Sequence, residues 1–411
     1  MLVPENPSDS SPTVLITLAG RDRPGITSLV FATLADHGVE LLDLEQILIR
    51  GRLVLGALVT APQDKAALRT QLSEAASELS MSLEFEPGPV SQPSLPVGRS
   101  YVTVLGSPLR AQAMAAISSR ISETGANIER IDRIASYPLT AIQLDVCGVS
   151  TERLRTLLAP EAAKHDIDIA VQGASLMRRA MKLIVMDVDS TLVQGEVIEM
   201  LAAYAGKESE VAQVTEAAMR GELDFASSLR ERVAHLEGLD ESVFDSVYAD
   251  LQLTPGARTT IRVLKRLGYR FAMVSGGFTQ ITNRLAKELG VDYELANELE
   301  VVDGKLTGRV CGSIVDRAAK AQALRDFAAQ AGISEMATIA IGDGANDLDM
   351  LNAAGLGIAF NAKPIVQQAA DTAVNFPYFD AVLYLLGITR EEIEADDAAF
   401  GVTTPAPPLQ A

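Results

Sequence analysis

The sequence is poor in cysteine and histidine, and each shortage excludes a class of site. Its two cysteines, Cys147 and Cys311, lie far apart and form no CxxC pair, so neither a disulfide framework nor a zinc site is indicated. The three histidines are scattered and cannot form a dense metal site or an obvious Ser/His/Asp triad. Any bound metal ion is therefore expected to be held by oxygen atoms.

Positive charge is also scarce. The 411 residues contain 35 Lys and Arg against 54 Asp and Glu, for a net charge of −19. Nucleic acids and anionic lipids both require clustered Lys and Arg, so neither is expected as a partner. A basic, apolar leader and an uninterrupted apolar run of about 18 residues are lacking as well. We therefore expect a soluble, cytoplasmic protein.

Two βαββαβ patterns occupy the first part of the chain, over residues 11–90 and 99–174. The Pro-rich stretch EPGPVSQPSLPVG separates them. A period of roughly 88 residues in only two copies is too long for a solenoid. The pattern therefore predicts two ferredoxin-like sandwich modules in tandem.

Three continuous apolar runs, KLIVM, FAMVS and TIAIG, mark a third domain, expected at residues 180–395. Such runs are typical of strands buried on both faces of a parallel sheet. Strands alternating with helices predict an α/β doubly wound fold whose ligand site lies beyond the carboxyl ends of the strands. Those ends carry Asp187, Ser275 and Asp343.

Two segments of this region lack such runs. Residues 195–253 have Met, Glu, Ala and Leu at helical spacing, which predicts an inserted helical cap over the site. The Pro-rich end TTPAPPLQA predicts a disordered tail over residues 396–411.

Four short segments carry residues suited to phosphoryl transfer: DVDST at 187–191, SGG at 275–277, Lys320, and GDGANDLDM at 342–350. A lone DxD is common at loop starts, but the joint occurrence in this order is not. A phosphoryl group needs a nucleophile, a proton donor for the leaving oxygen, and surrounding positive charge. Asp187 is the predicted nucleophile, and Asp189 the group that protonates the leaving oxygen and then activates water.

The remaining segments supply the compensating charge. Ser275 and the N–H groups of Gly276 and Gly277 can receive phosphate oxygens at a helix N-terminus. Lys320 is the only lysine between Lys305 and Lys363, and is the predicted counter-charge to the phosphate and the nucleophile.

A carboxylate can approach an anionic phosphate only if its charge is compensated, and Mg²⁺ bound by oxygens does this well. The predicted ligands are Asp187, the backbone carbonyl of Asp189, and Asp343. Asp347 follows Asp343 by four residues. It is expected to bind the metal, hold a metal-bound water or orient Lys320, and the sequence leaves these roles open.

These four segments closely resemble the motifs of the haloacid dehalogenase (HAD) superfamily, specifically its phosphoserine phosphatases, over about residues 181–390. Related cation pumps and sugar phosphatases also carry GDGxND, so that motif indicates chemistry rather than substrate. The resemblance implies Mg²⁺-dependent hydrolysis of O-phospho-L-serine through an aspartyl-phosphate, the last step of serine biosynthesis.

The resemblance also implies the residues that bind substrate. In phosphoserine phosphatases a cap glutamate contacts the amino group, an arginine binds the carboxylate, and a Met and a Phe close the pocket. Glu196, Arg232, Met219 and Phe225 stand in matching order and spacing, and Asn346 resembles a further substrate contact. A pocket reading both backbone charges of a free amino acid argues against phosphorylated peptides as substrates.

The two N-terminal modules resemble ACT domains, which bind amino acids and control metabolic enzymes. The first carries GRDRPGIT at 20–27, and the resemblance implies that L-serine binds near Asp22 and Gly25, across a module interface. The second has GSPLRAQA at 106–113 and departs from the pattern. Because ACT modules usually pair side by side, a homodimer is expected.

Two other functions remain open at this stage. One is a HAD phosphatase for another small phosphomonoester, which differs only in its cap residues. The other is a catalytically silent amino-acid sensor built from ACT modules on a retired phosphatase scaffold. The intact set Asp187, Asp189, Lys320, Asp343 and Asp347 counts against the sensor.

Overall fold

The computed structural model describes residues 12–89, 98–175, 177–180, 182–219 and 223–405. The side chains of residues 87–89, 177, 179 and 216–219 lie outside that description. The chain divides into two units, Met1–Leu95 and Pro96–Ala411.

The first unit is a four-stranded antiparallel sheet with two helices, in the predicted βαββαβ order. Its elements are β1 (Pro12–Arg21), α1 (Ile26–Asp36), β2 (Leu41–Ile49), β3 (Arg52–Thr60), α2 (Lys65–Glu78) and β4 (Ser82–Pro89). The strand order is β2-β3-β1-β4. Alternate residues of β1, such as Val14 and Ile16, are buried together with Val30 of α1 and Leu68 of α2. The edge strand β2 is exposed along its whole length.

The second module has the same order and belongs to the second unit. Its elements are β5 (Ser100–Gly106), α3 (Ala111–Ser122), β6 (Asn127–Ala135), β7 (Thr140–Cys147), α4 (Thr151–His165) and β8 (Asp168–Gly173). The strand order is β6-β7-β5-β8, and all pairs are antiparallel. The predicted pair of ferredoxin-like modules is therefore confirmed.

The third domain is built on a seven-stranded sheet. Its elements are α5 (Met177–Ala180), β9 (Leu183–Met186), α6 (Val197–Ala205), α7 (Glu208–Met219), α8 (Phe225–Ala234), α9 (Val243–Asp250), α10 (Ala257–Arg266), β10 (Arg270–Phe278), α11 (Thr279–Leu289), β11 (Tyr293–Val302), β12 (Lys305–Cys311), α12 (Arg317–Ala331), β13 (Thr338–Gly342), α13 (Leu348–Ala353), β14 (Leu356–Phe360), α14 (Pro364–Ala369), β15 (Thr372–Val374), α15 (Ala381–Leu385) and α16 (Arg390–Ala399).

The sheet order is β12-β11-β10-β9-β13-β14-β15. All neighbours are parallel except β11 and β12, which confirms the predicted doubly wound fold. The first strand, β9, lies between β10 and β13, so the chain winds outward in both directions from β9. A crevice forms at such a switch point, at the carboxyl ends of the central strands.

Helices α6 to α9 form the inserted cap, between β9 and α10. An antiparallel bridge between Val193 and Leu253 joins the two chain segments that connect the cap to the sheet domain. Both crossings therefore lie side by side, and the cap lies within the range 195–253 expected from the sequence.

The second module packs directly on the third domain. Asp168 of β8 accepts hydrogen bonds from the backbone N (2.6 Å) and the side-chain Nδ2 (2.7 Å) of Asn375. Arg155 forms an ion pair of 2.9 Å with Asp371. Leu105 and Ile134 are buried in the same apolar cluster as the core residues of the sheet domain. Their burial makes this module a continuous part of the second unit.

The C-terminal segment differs from the tail expected to begin at residue 396. Helix α16 runs through Ala399, and the fully buried Asp397 pairs with Arg262 (2.5 Å) and Arg266 (3.0 Å) of α10. Thr404 Oγ1 also donates to Asp397 Oδ2 at 2.7 Å. The Pro-rich composition predicted the wrong start for the tail. Composition cannot show that Asp397 pairs with arginines about 130 residues earlier in the chain. None of the helices described here combines the length and the apolar character required to cross a membrane.

Candidate active site

The carboxyl ends of β9, β10 and β13 bring the predicted side chains together at one edge of the sheet. Asp187 follows β9, Ser275 lies near the end of β10, and Asp343 follows β13. An irregular turn over Val188–Leu192 leads away from β9. Thr191 Oγ1 in this turn donates to Asp343 Oδ1 at 3.1 Å, which joins the two strand ends.

Lys320 lies beneath these carboxylates. Its Nζ is 2.7 Å from Asp187 Oδ1 and 2.7 Å from Asp347 Oδ1, and its side chain is fully buried. Burial by itself lowers the pKa of Lys320, but the two carboxylates raise it more, so the net pKa lies above its ordinary value. The other oxygen of Asp347 accepts a hydrogen bond from Gly344 N at 3.0 Å.

Several carboxylate side chains lie close together in this part of the site. Oxygen atoms of Asp187, Asp343 and Asp347 all lie within 4.8 Å of one another. Burial, followed by the charge of Asp347, raises the pKa of Asp187 well above its usual range, and the Lys320 charge opposes this rise. The same two causes raise the pKa of Asp343 to about 6. A hard cation such as Mg²⁺ relieves such repulsion, and this all-oxygen donor set fits one.

Asp189 has different partners from Asp187. Its Oδ1 accepts a hydrogen bond from Val197 N at 2.8 Å, and its Oδ2 accepts one from Ser275 Oγ at 3.2 Å. Burial raises the pKa of Asp189, which favours its protonated form. Two carboxylates that are neighbours in sequence thus occupy separate environments.

The SGG segment turns tightly at the end of β10. Gly277 N donates to Ser275 Oγ at 2.8 Å, instead of being free for a phosphate oxygen. A Cβ at Gly277 would lie 2.7 Å from Asp189 Oδ2, so a larger residue here would displace the carboxyl group of Asp189. Asn297, which sequence reasoning missed, donates to Gly276 O at 2.8 Å and accepts from Val315 N at 2.8 Å. A polar residue at a buried position of a strand was the signal that could have found it.

A cavity of about 930 Å³ opens between the sheet edge and the cap, a size usual for small-molecule sites. Predicted residues that line it are Asp187, Asp189, Glu196, Phe225, Arg232, Gly276, Asp343 and Asn346. Met219 ends α7, and its side chain lies outside the described residues. Glu199, Arg317 and Lys363 also line the cavity, although sequence reasoning did not single them out.

Glu196 and Arg232 are the acidic and basic residues of the cap that the sequence predicted to bind substrate. Glu196 Oε1 accepts a hydrogen bond from Ser190 Oγ at 3.2 Å, and burial, then the charge of Asp189, raises the pKa of Glu196 to about 7. The buried Nε of Arg232 has no hydrogen-bond partner among the described residues. Burial lowers the pKa of Arg232. A half-buried guanidinium with a buried, unsatisfied donor atom is expected to receive an acceptor from a ligand.

The predicted regulatory residues lie in the first unit. Gly25 is the N-cap of α1 with a φ of 96°, and a Cβ placed there would meet nothing within 4 Å. Asp22 N donates to Gly51 O at 2.9 Å. In the second module, Arg110 in an extended conformation is the N-cap of α3 instead. The two modules therefore differ at the loop where the first has an open glycine.

Comparison with protein families assigns all three parts of the chain. Residues 184–352 match the haloacid dehalogenase-like hydrolases. Residues 12–86 and 100–172 each match ACT domain families.

Two relatives that match over nearly their whole length are named phosphoserine phosphatases. A phosphoserine phosphatase of Streptomyces coelicolor is 60% identical over 94% of this chain and 95% of its own length. One of Mycobacterium tuberculosis is 53% identical over 94% of this chain and 96% of its own length. Among solved structures, a probable phosphoserine phosphatase of Vibrio cholerae covers 74% of this chain and 90% of its own, with a TM-score of 0.56 and 34% identity.

Proposed function

This chain belongs to the phosphoserine phosphatases of the haloacid dehalogenase-like hydrolase family, and we propose that it hydrolyses free O-phospho-L-serine through an aspartyl-phosphate on Asp187. One observation carries the proposal. Asp187, fixed by Lys320 at 2.7 Å, and the unsatisfied Arg232 line the same cavity. The Asp187–Lys320 pair is suited to react with the phosphate of the substrate, and Arg232 is suited to bind its carboxylate. Serine and phosphate are the products, so the reaction would complete serine biosynthesis.

In the first step, a carboxylate oxygen of Asp187 forms a bond to phosphorus as the bond from phosphorus to the serine oxygen breaks. Asp189 gives its proton to the departing oxygen, a role that suits a carboxyl group whose pKa is raised by burial. Asp189 then takes a proton from water, which attacks the aspartyl-phosphate and releases inorganic phosphate. Lys320 holds Asp187 in place and offsets negative charge throughout.

The side chains of Asp187 and Asp343 and the backbone carbonyl of Asp189 would hold Mg²⁺. The bound ion would offset the charges of the carboxylates and the phosphate, so that one anion can approach another. Asp347 already accepts hydrogen bonds from Lys320 on one oxygen and from Gly344 on the other. We assign Asp347 to orienting Lys320.

Arg232 and Glu196 would bind the carboxylate and the ammonium group of the substrate. A guanidinium can pair with a carboxylate through two parallel hydrogen bonds. Phe225 packs beside Gly276, since a Cβ at Gly276 would lie 3.1 Å from its ring. Asn346 lines the sheet side of the cavity and would contact the substrate from there. Phosphorylated peptides lack both backbone charges, so we expect them to be poor substrates.

Steady-state turnover tests the proposal directly. We expect free phosphoserine to be the best substrate in a panel of phosphomonoesters that includes a phosphoserine peptide, and its turnover to require added Mg²⁺. Faster turnover of another small phosphomonoester would instead favour the alternative, a HAD phosphatase with a different small substrate. A catalytically silent sensor does not fit membership of this enzyme family.

L-serine is the proposed effector of the first ACT module, near Asp22 and Gly25. The open space at Gly25 supports this site, because a ligand can approach the backbone there. The second module, which packs on the catalytic domain, has Arg110 at the corresponding N-cap and is not expected to bind serine in the same way. A coupling of about 1–3 kcal/mol would change affinity by roughly 5- to 150-fold.

We also propose that the protein is a homodimer that pairs through β2. This edge strand exposes Leu44 (39%), Ile47 (51%) and Leu48 (57%), and exposed apolar edge strands are prone to pair with another chain. Light scattering should give twice the mass of one chain, and Ile47→Lys should halve it. A monomeric parent protein would contradict the proposal.

A further inference from the structure

The cavity lining is rich in negative charge. Five acidic side chains among the described residues line it, from Asp187, Asp189, Glu196, Glu199 and Asp343. The whole chain carries a net charge of −19. A phosphomonoester itself carries about −1.5 to −2 near neutral pH. Its approach to this opening is therefore opposed by repulsion, unless cations lie along its path.

Within the described part of the sheet domain, two cationic side chains line the cavity while remaining exposed to solvent. Arg317 is the first residue of α12, one turn before the buried Lys320 on the same helix. Lys363 is the N-cap of α14. Because both side chains contact the cavity and the solvent, they lie at its opening, whereas Lys320 lies beneath it.

Arg317 already has a carboxylate partner. It forms an ion pair of 2.5 Å with Asp349, which is half-buried. Away from the pair, the negative charge of Asp349 offsets part of the positive charge of Arg317. Arg317 is therefore expected to contribute less than one full positive charge to the potential at the opening.

We propose that Arg317 and Lys363 form a cationic rim that captures phosphomonoester dianions and guides them, phosphate first, toward Lys320. The rim acts on association and leaves the chemical step to the groups below it. A charged opening raises the local concentration of an oppositely charged ligand, and this effect weakens as salt shortens the range of the field. This inference rests on the proposed phosphatase function and adds two residues that select the substrate by charge.

The test measures kcat and kcat/KM for phosphoserine and for p-nitrophenyl phosphate at ionic strengths from about 25 mM to 0.5 M, with Mg²⁺ fixed. At the lowest ionic strength, Lys363→Gln should lower kcat/KM about 3- to 10-fold for both substrates, and kcat should change less than about twofold. The deficit should shrink as salt increases. Arg317→Gln should show a deficit of the same kind.

Matched variants separate local charge from total charge. Lys287→Gln removes one positive charge from the exposed face of α11, away from the cavity lining, and should behave like the parent protein. Lys363→Arg keeps the charge and should retain kcat/KM, whereas Lys363→Glu should lower it further than Lys363→Gln. Isothermal titration with inorganic phosphate should show the same order of affinities without requiring turnover.

The proposal is overturned if Lys363→Gln and Lys287→Gln have equal kcat/KM at every ionic strength. It is also overturned if Lys363→Gln lowers kcat and kcat/KM by one salt-independent factor, since that result places Lys363 in the chemistry or the fold. Hydrolysis of p-nitrophenyl phosphate without hydrolysis of phosphoserine would remove the proposed function alone. The salt dependence with the aryl substrate would then still decide the role of the rim.

Discussion

Lys320 and Asp187 form a buried ion pair, with 2.7 Å between Nζ and Oδ1 and side-chain exposures of 0% and 6%. Breaking a buried pair by removing one partner commonly costs about 3–5 kcal/mol, because the other charge is left without compensation. Here Asp347 also contacts Lys320, so the lysine keeps one partner when Asp187 is neutralised. The nucleophile can therefore be changed without leaving Lys320 unpaired.

Asp187→Asn should fold and lose turnover. Enzymes accelerate phosphate-monoester hydrolysis by up to about 10²¹-fold, and the amide cannot replace the attacking carboxylate. Turnover of phosphoserine and thermal unfolding measure the two effects separately. Beryllium fluoride should bind in place of the phosphoryl group on Asp187 of the parent protein and not on the variant. Turnover like that of the parent would refute Asp187 as the nucleophile.

Arg232→Ala should raise KM for phosphoserine by about 10- to 100-fold, the scale of a lost hydrogen bond to a charged group. Hydrolysis of p-nitrophenyl phosphate should be nearly unchanged, since that substrate has no carboxylate. Arg230→Ala, an exposed position on the same helix, is the matched control and should leave both substrates unaffected. Equal losses on both substrates would assign Arg232 to the chemistry or to folding.

Glu196 should make phosphoserine binding depend on pH near neutrality. Burial, then the charge of Asp189, raises the pKa of Glu196 to about 7, so the side chain is ionised above this pH and neutral below it. The ionised form attracts the substrate ammonium group, so KM for phosphoserine should rise as pH falls through about 7.

Glu196→Gln, which imitates the neutral form, should have the higher KM at every pH and should lose this pH dependence. Kinetics with p-nitrophenyl phosphate correct for the titration of the phosphate itself, because that substrate has no ammonium group. A pH profile of KM unchanged by Glu196→Gln would contradict the assignment.

Gly25→Leu should relieve inhibition by L-serine and keep basal turnover. The new side chain would fill the open space at the loop and would also strain a position with a φ of 96°. Gly38→Leu is the matched control, since Gly38 also has a positive φ (62°) and open space. If Gly38→Leu also relieved the inhibition, backbone strain in the first module, rather than the loop at Gly25, would control the response. Competitive inhibition unaltered by Gly25→Leu would place serine at the active site.

A shortened chain beginning at Gly98 should turn over phosphoserine without inhibition through the first module. The unit boundary near residue 95 favours this start over one near Arg178. Starting at Arg178 would uncover the surface now covered by Leu105 and Ile134, and it would leave Asp371 without Arg155. Thermal unfolding of both shortened chains compares their stabilities. Full serine inhibition in the chain beginning at Gly98 would show that the first module does not regulate.

Local patterns in the sequence suffice to predict the three-part architecture and the residues at the centre of the site. Strand periodicity and apolar runs predict the modules and the parallel sheet, and parallel strands must end at one edge. Asp187, Ser275 and Asp343 therefore converge whatever else the chain does. The resemblance to phosphoserine phosphatases added Glu196 and Arg232, which no local pattern could have assigned to a substrate.

Contacts between segments far apart in the chain could be read only from the folded structure. Asn297 holds the SGG turn from β11, Asp168 fastens the second module through Asn375, and Asp397 anchors the C-terminal helix on α10. Lys363 reaches the cavity from a loop whose sequence resembles any other helix start. In each case the residue type is ordinary, and its role arises from a partner that only folding brings within hydrogen-bonding or electrostatic range.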